Sequence, residues 1–173
     1  MVAWNLRVFG WLAIAGVALT AMASPLHASP SDVVAFDGYA PGTIVVKTGE
    51  RKLYFVVDRG RALRFPVGVG RKGKAWSGRA VIEGKYLRPA WAPPDEIKRE
   101  HPDLPAVIPG GSPRNPMGEA ALTLRGGDYA IHGTNRPQSI GGFVSYGCIR
   151  MFNRDIRALY RLVDVGTPVV VEQ

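Results

Sequence analysis

Gly42-Thr43-Ile44-Val45-Val46, then Lys47-Thr48-Gly49-Glu50-Arg51, then Lys52-Leu53-Tyr54-Phe55-Val56-Val57 is the stretch that decides the fold class. Two β-rich runs flank five residues with turn chemistry, which is a hairpin signal. Asp58-Arg59-Gly60-Arg61 makes the next turn and residues 62–67 the next strand. The whole reads as an antiparallel meander. Upstream, residues 29–41 read as a polar lead-in segment.

Downstream, Gly68-Val69-Gly70-Arg71-Lys72-Gly73 matches the GxGxxG spacing of a dinucleotide loop. That motif needs a helix starting at the glycines. Residues 74–84 have no helical apolar period, so a turn followed by a strand near 80–83 is expected. Residues 89–117 hold Pro89, Pro93, Pro94, Pro102, Pro105, Pro109, Pro113 and Pro116. No strand or long helix survives that density, and only Asp95–Glu100 has room for a helical turn. A long irregular segment of this kind is either a lid over a groove or a tethered surface loop.

Ala120–Leu124 and residues 129–131 read as short strands around the turn Arg125-Gly126-Gly127-Asp128. One good helix follows. Asn153 is its expected N-cap and Asp155 sits in its first turn. Ile156, Leu159, Tyr160 and Val163 fall on one apolar face, and Gly166 stops it. Residues 167–172 close the chain as a strand. The expected fold is therefore mostly β, with one main helix packed on the sheet.

The chain has 173 residues, 46% of them apolar and 21% charged, which suits one globular domain. Its start is different. One cation, Arg7, precedes an almost purely apolar run at 8–20, and small residues follow at 21–23 and 26–28. The run is shorter than the roughly 20 residues that span a bilayer. Residues 1–28 are therefore expected to be a secretory signal peptide, removed at one of the two small-residue sites, with no stable membrane insertion afterwards. Its loss takes Arg7 away and the formal charge from +8 to +7. A basic exported chain suits an anionic partner such as cell wall, or is simply soluble. An export signal and scattered cations argue against nucleic acid.

Export makes the cysteine count informative. Cys148 is the single cysteine, so it has no internal partner for a disulfide, and such a thiol is either buried or used. Of the three histidines, His27 lies in the signal and His101 in the proline-rich segment. His132, with 15 residues between it and Cys148, is the remaining candidate base. A thiolate is a strong acyl-transfer nucleophile. A histidine serves it by taking its proton, or by holding that proton in an ion pair. A poised pair predicts fast reaction with thiol reagents at neutral pH.

The imidazole needs an acceptor on its other nitrogen. No carboxylate lies between Asp128 and Cys148, which leaves a backbone carbonyl near Gly133. Gly147 allows a sharp turn that aims its own N–H and that of Cys148 at one point, as an oxyanion requires. Arg150 is placed to fork onto a substrate carboxylate or to brace the loop. One Cys and one His are too few for a zinc site, so no metal is expected.

The pattern Ile131-His132-Gly133-Thr134 … Ser145-x-Gly147-Cys148-Ile149-Arg150-Met151 resembles the signature of the L,D-transpeptidase (YkuD) catalytic domain. The likeness extends to the hairpin region, to Asn115-Pro116-Met117-Gly118 and to the closing helix, and covers roughly residues 41–172. It implies a β-sandwich-like catalytic domain over 41–173, preceded by the short segment 29–40. The nucleophile would be Cys148 in a groove under a lid, the base His132, and its orienter the Gly133 carbonyl. Ser145, Gly147 and Arg150 would be oxyanion and groove positions, with Tyr146 and Asn153 beside them on the substrate side.

The resemblance further implies attack on the diaminopimelate–D-Ala bond of a peptidoglycan tetrapeptide stem, outside the cytoplasmic membrane, without a cofactor. The resulting thioester would pass to an acceptor: another stem, an envelope protein, a D-amino acid, or water. Water would make the enzyme an L,D-carboxypeptidase. A non-catalytic wall-binding domain is the alternative from another class. Family members commonly have His where this chain has Tyr146.

Overall fold

The computed structural model describes residues 32–173; the signal-peptide expectation for residues 1–28 lies outside them. The meander is present. β2 (Ile44–Lys47), β3 (Lys52–Asp58) and β4 (Gly60–Pro66) run antiparallel, with Ile44 opposite Phe55 and Leu53 opposite Phe65. The lead-in segment differs from expectation. Residues Asp32–Phe36 form an edge strand, β1, antiparallel to β4. Its physical reason is aromatic: Phe36 stacks on Tyr54 at 4.3 Å between centroids, inside a small cluster with Val45, Val56 and Ala62.

Two further strands join this sheet to a second half. β11 (Pro168–Glu172) lies parallel to β2 and antiparallel to β6 (Gly78–Leu87). The first half of β6 pairs with β11. After a register shift at Ile82/Gly84 its second half pairs with β7 (Ala120–Leu124). Such a bulge bends a strand, so one long strand serves both halves. β8 (Ala130–His132) follows β7, and β10 (Ile149–Arg150) lies parallel to β8 at the far edge. A small parallel pair, β5 (Val69–Gly70) with β9 (Phe143–Ser145), sits beside it. The GxGxxG run is thus a two-residue strand and a turn.

The core fills the space between the halves. Ile44, Leu53, Phe65 and Val67 meet Leu122, Leu124, Ile131 and Ile149, all at or near zero exposure. Helix α2 (Asn153–Leu162) caps this core with Ile156 and Leu159 fully buried, Val163 nearly so, and Tyr160 partly buried. The helical face read from the sequence is the face it buries, and each such aliphatic side chain contributes about 1.5–3 kcal/mol. Asn153 does not cap the helix: the cap position is Phe152, with no side-chain bond.

The proline-rich segment carries α1 (Asp95–Glu100), as expected. Its base is stapled by Asn115. The Asn115 amide donates to the carbonyls of Pro89, Ile108 and Pro109 at 2.9–3.2 Å, while its oxygen accepts from the Met117 N–H. Backbone bonds between Trp91 and Ile108 close the neck of the segment.

Candidate active site around Cys148 and His132

The pairing of β8 with β10 builds the site. Ile131 faces Ile149 and His132 faces Arg150. Side chains alternate along strands, and both isoleucines enter the core. His132 and Arg150 therefore share the opposite face. Cys148, one residue before β10, follows the parity of Arg150 and falls beside Ala130. Its Sγ lies 3.8 Å from the Asp128 carbonyl. No hydrogen bond joins Cys148 to His132 among the described residues. Strand spacing and rise put their Cα atoms roughly 8 Å apart on the diagonal: neighbours, but not a bonded pair.

His132 is 3% exposed, and its Nδ1 is 2.6 Å from the Gly133 carbonyl. A carbonyl only accepts, so Nδ1 carries the proton and Nε2 keeps its lone pair. Burial, aided by the Arg150 charge, pulls the imidazole down to about 4 against the opposing carbonyls of Gly133 and Pro116. Burial also pushes the Cys148 thiol up, opposed by the Ala130 amide and by Arg150. At neutral pH both groups are therefore uncharged. Of the two alternatives, an imidazole waiting to take the proton fits this state; an ion pair does not.

Ser145 is buried and holds the nucleophile loop. Its Oγ donates to the Cys148 carbonyl at 2.6 Å and accepts from the Gly147 N–H at 3.1 Å. Of the two amides read as oxyanion donors, Gly147's is thus already engaged. The Cys148 N–H has no partner among the described residues. Gly147 has φ +123°, and a Cβ there would run into the Tyr129 ring. Trp76 donates from its indole N–H to the Gly147 carbonyl at 2.9 Å and stacks on Tyr129 at 5.0 Å. The sequence reading missed this aromatic buttress, because Trp76 lies 71 residues from Gly147 and no motif links them.

Arg150 is half-buried without a carboxylate partner among the described residues. Its Nε is the one buried side-chain nitrogen or oxygen there that lacks a hydrogen-bond partner. Tyr146 is engaged by the proline-rich segment and by Arg71. Its hydroxyl donates to the Glu100 carboxylate, and the Arg71 guanidinium lies 4.0 Å from its ring centre. Asn153 spends its carboxamide on backbone. Its Oδ1 accepts from the N–H groups of Glu119 and Thr134, and its Nδ2 donates to the Thr134 carbonyl. It supports the loop that carries Gly133 rather than facing Cys148.

The L,D-transpeptidase catalytic domain (YkuD) family model matches residues 41–171. A probable L,D-transpeptidase of Escherichia coli K12, ErfK/SrfK, is 41% identical over 135 residues, which is 74% of this chain and 43% of that protein. The chain thus spans less than half the length of that curated relative. A solved L,D-transpeptidase structure from Mycobacterium smegmatis covers 83% of this chain and 59% of its own, with a TM-score of 0.60 at 18% identity. A Brucella melitensis structure named a probable carnitine operon oxidoreductase is 38% identical, covering 79% of this chain and 89% of its own, with a TM-score of 0.55. With its matched span running from the meander through the Cys148 loop to β11, the chain belongs to the YkuD family of L,D-transpeptidase catalytic domains.

Proposed function

We propose that this chain is an L,D-transpeptidase acting on peptidoglycan stem peptides outside the cytoplasmic membrane. The observation that carries the reading is one face holding a half-buried thiol, a neutral imidazole whose protonated nitrogen is fixed by Gly133, and a guanidinium without a carboxylate. No helix among the described residues is long and apolar enough to cross a membrane.

In this reading His132 Nε2 takes the thiol proton as Cys148 Sγ attacks the carbonyl of the diaminopimelate–D-Ala bond. Charge developing on that oxygen meets the free Cys148 N–H. The C–N bond then breaks, the proton on Nε2 passes to the departing D-Ala amine, and a thioester remains. An acceptor amine repeats the cycle in reverse: His132 removes its proton, the new amide forms, and the thiol is regenerated. Arg150 binds a carboxylate of the donor stem. Water in place of the amine yields an L,D-carboxypeptidase, and an envelope protein in its place yields anchoring.

Intact-protein mass spectrometry tests the chemistry. Wild type and Cys148→Ala are each incubated with a carbapenem and, separately, with a tetrapeptide muropeptide. A single adduct and release of D-Ala in wild type alone supports the reading. A folded wild type that gains no adduct and releases no D-Ala rejects it.

A further inference from the structure

The loop spanning residues 92–107 contains no buried residue. Helix α1 within it buries none either. The neck of the loop is fixed by Trp91 and Ile108 and by the Asn115 staple. Its tip is held by polar side chains. Glu100 bonds Arg71 at 2.9 and 3.2 Å and accepts from the Tyr146 hydroxyl, and Glu96 pairs with Lys74.

These tethers reach the site through few bonds. The Arg71 N–H donates to the Ser145 carbonyl. Ser145 Oγ in turn holds the Cys148 carbonyl, and Tyr146 is two residues from the nucleophile. The same proline-rich segment faces His132 through the Pro116 carbonyl.

We propose that Glu100, shared by Tyr146 and Arg71, latches the 92–107 loop against the nucleophile loop and so determines which donors reach Cys148. Exposed ion pairs of this kind are individually weak, and no apolar anchor supplements them, so the closed loop opens readily. A small donor passes the closed loop and a bulky, cross-linked one needs it open. Tyr146 serves as the anchor point: its phenol spans to Glu100 and its ring carries Arg71. The specificity role rests on the transpeptidase reading above; the latch itself does not.

Alkylation of the native full chain at one fixed alkaline pH separates the two. The probes are N-ethylmaleimide and a maleimide carried on a polyethylene glycol chain. Glu100→Gln and Tyr146→Phe should each raise the bulky-to-small rate ratio by about fivefold, the population change that loss of one weak pair produces. Combining them should add little. Amide exchange across 95–101 should speed up in the same variants. An unchanged ratio in folded Glu100→Gln and Tyr146→Phe overturns the latch, as does a raised ratio without faster exchange across 95–101. Neither readout needs acyl transfer, so a chain that takes no acyl group yet shifts its ratio keeps the latch and loses the transpeptidase reading.

Discussion

Arg150 and His132 are register partners across the parallel β10–β8 pair, and the guanidinium is the second cause, after burial, that keeps the imidazole neutral. A cation beside a base disfavours its protonated form. The arrangement is therefore unsuited to a resting thiolate–imidazolium pair. It suits a base that receives its proton only while the thiol attacks, when an incoming carboxylate has offset the guanidinium charge.

Arg150→Met tests that coupling. The unpartnered Nε leaves, and burying a cation without a partner is costly, so Tm should not fall below wild type. The His132 pKa, read by NMR, should rise above about 4. Acylation by a stem-peptide donor should drop by about 10- to 100-fold, the scale of one charged hydrogen bond. A lower Tm with an unmoved imidazole would show that Arg150 braces the loop instead.

Acid should destabilise the fold through His132. Its pKa is about 4 in the folded chain against an ordinary 6.5. Between those values the unfolded chain binds a proton that the folded chain does not. Stability therefore falls as pH drops from about 6.5 to about 4, by up to about 3 kcal/mol from this group. Urea denaturation of wild type and His132→Gln across that range checks it. Carboxylates act alike in both proteins, so the difference between the curves isolates the imidazole. Parallel curves would mean that it is not buried neutral.

Much of this was legible in the sequence where local signals were strong. Prolines bracketed α1, glycines punctuated the meander, and the period of Ile156, Leu159 and Val163 fixed the buried face of α2. Strands of two or three residues such as β5, β9 and β10 carry too little pattern to read, because their partners lie tens of residues away. β1 looked polar because only Phe36 on it is buried. Cys148 and His132 stood out by elimination, as single members of their type outside residues 1–28 and the proline-rich segment. Their uncharged state did not, since burial and the Arg150 charge arise only from tertiary packing.

Gly147→Ala should disarm the site while leaving the fold intact. A side chain at φ +123° is strained, by about 1–3 kcal/mol, and here it also displaces Tyr129 from the loop. The Cys148 N–H and the Trp76 bond shift with it, so acylation should fall by at least about tenfold, one pKa-sized step in free energy. Gly166→Ala is the control. Its φ is +91° with nothing within 4 Å of a new Cβ, so stability should drop modestly and acylation should not change. Equal acylation in both variants would remove Gly147 from the site.

Asn153 separates two readings of one residue. As a helix N-cap it would tolerate Ser or Asp, both good caps. As a strut between Thr134 and Glu119 it needs both ends of a carboxamide and the reach to place them. Asn153→Ala leaves two backbone N–H groups and one carbonyl without this partner, at a cost of about 2–4 kcal/mol in urea denaturation. Asn153→Asp keeps the two accepted bonds and loses the donated one, so it should fall between Ala and wild type. Asn153→Ser is too short to span the gap and should be no better than Ala. Because Thr134 follows Gly133, the strut also sets the carbonyl that fixes the His132 tautomer, so acylation should track stability across the series. A Ser variant as stable as wild type would return Asn153 to the capping role.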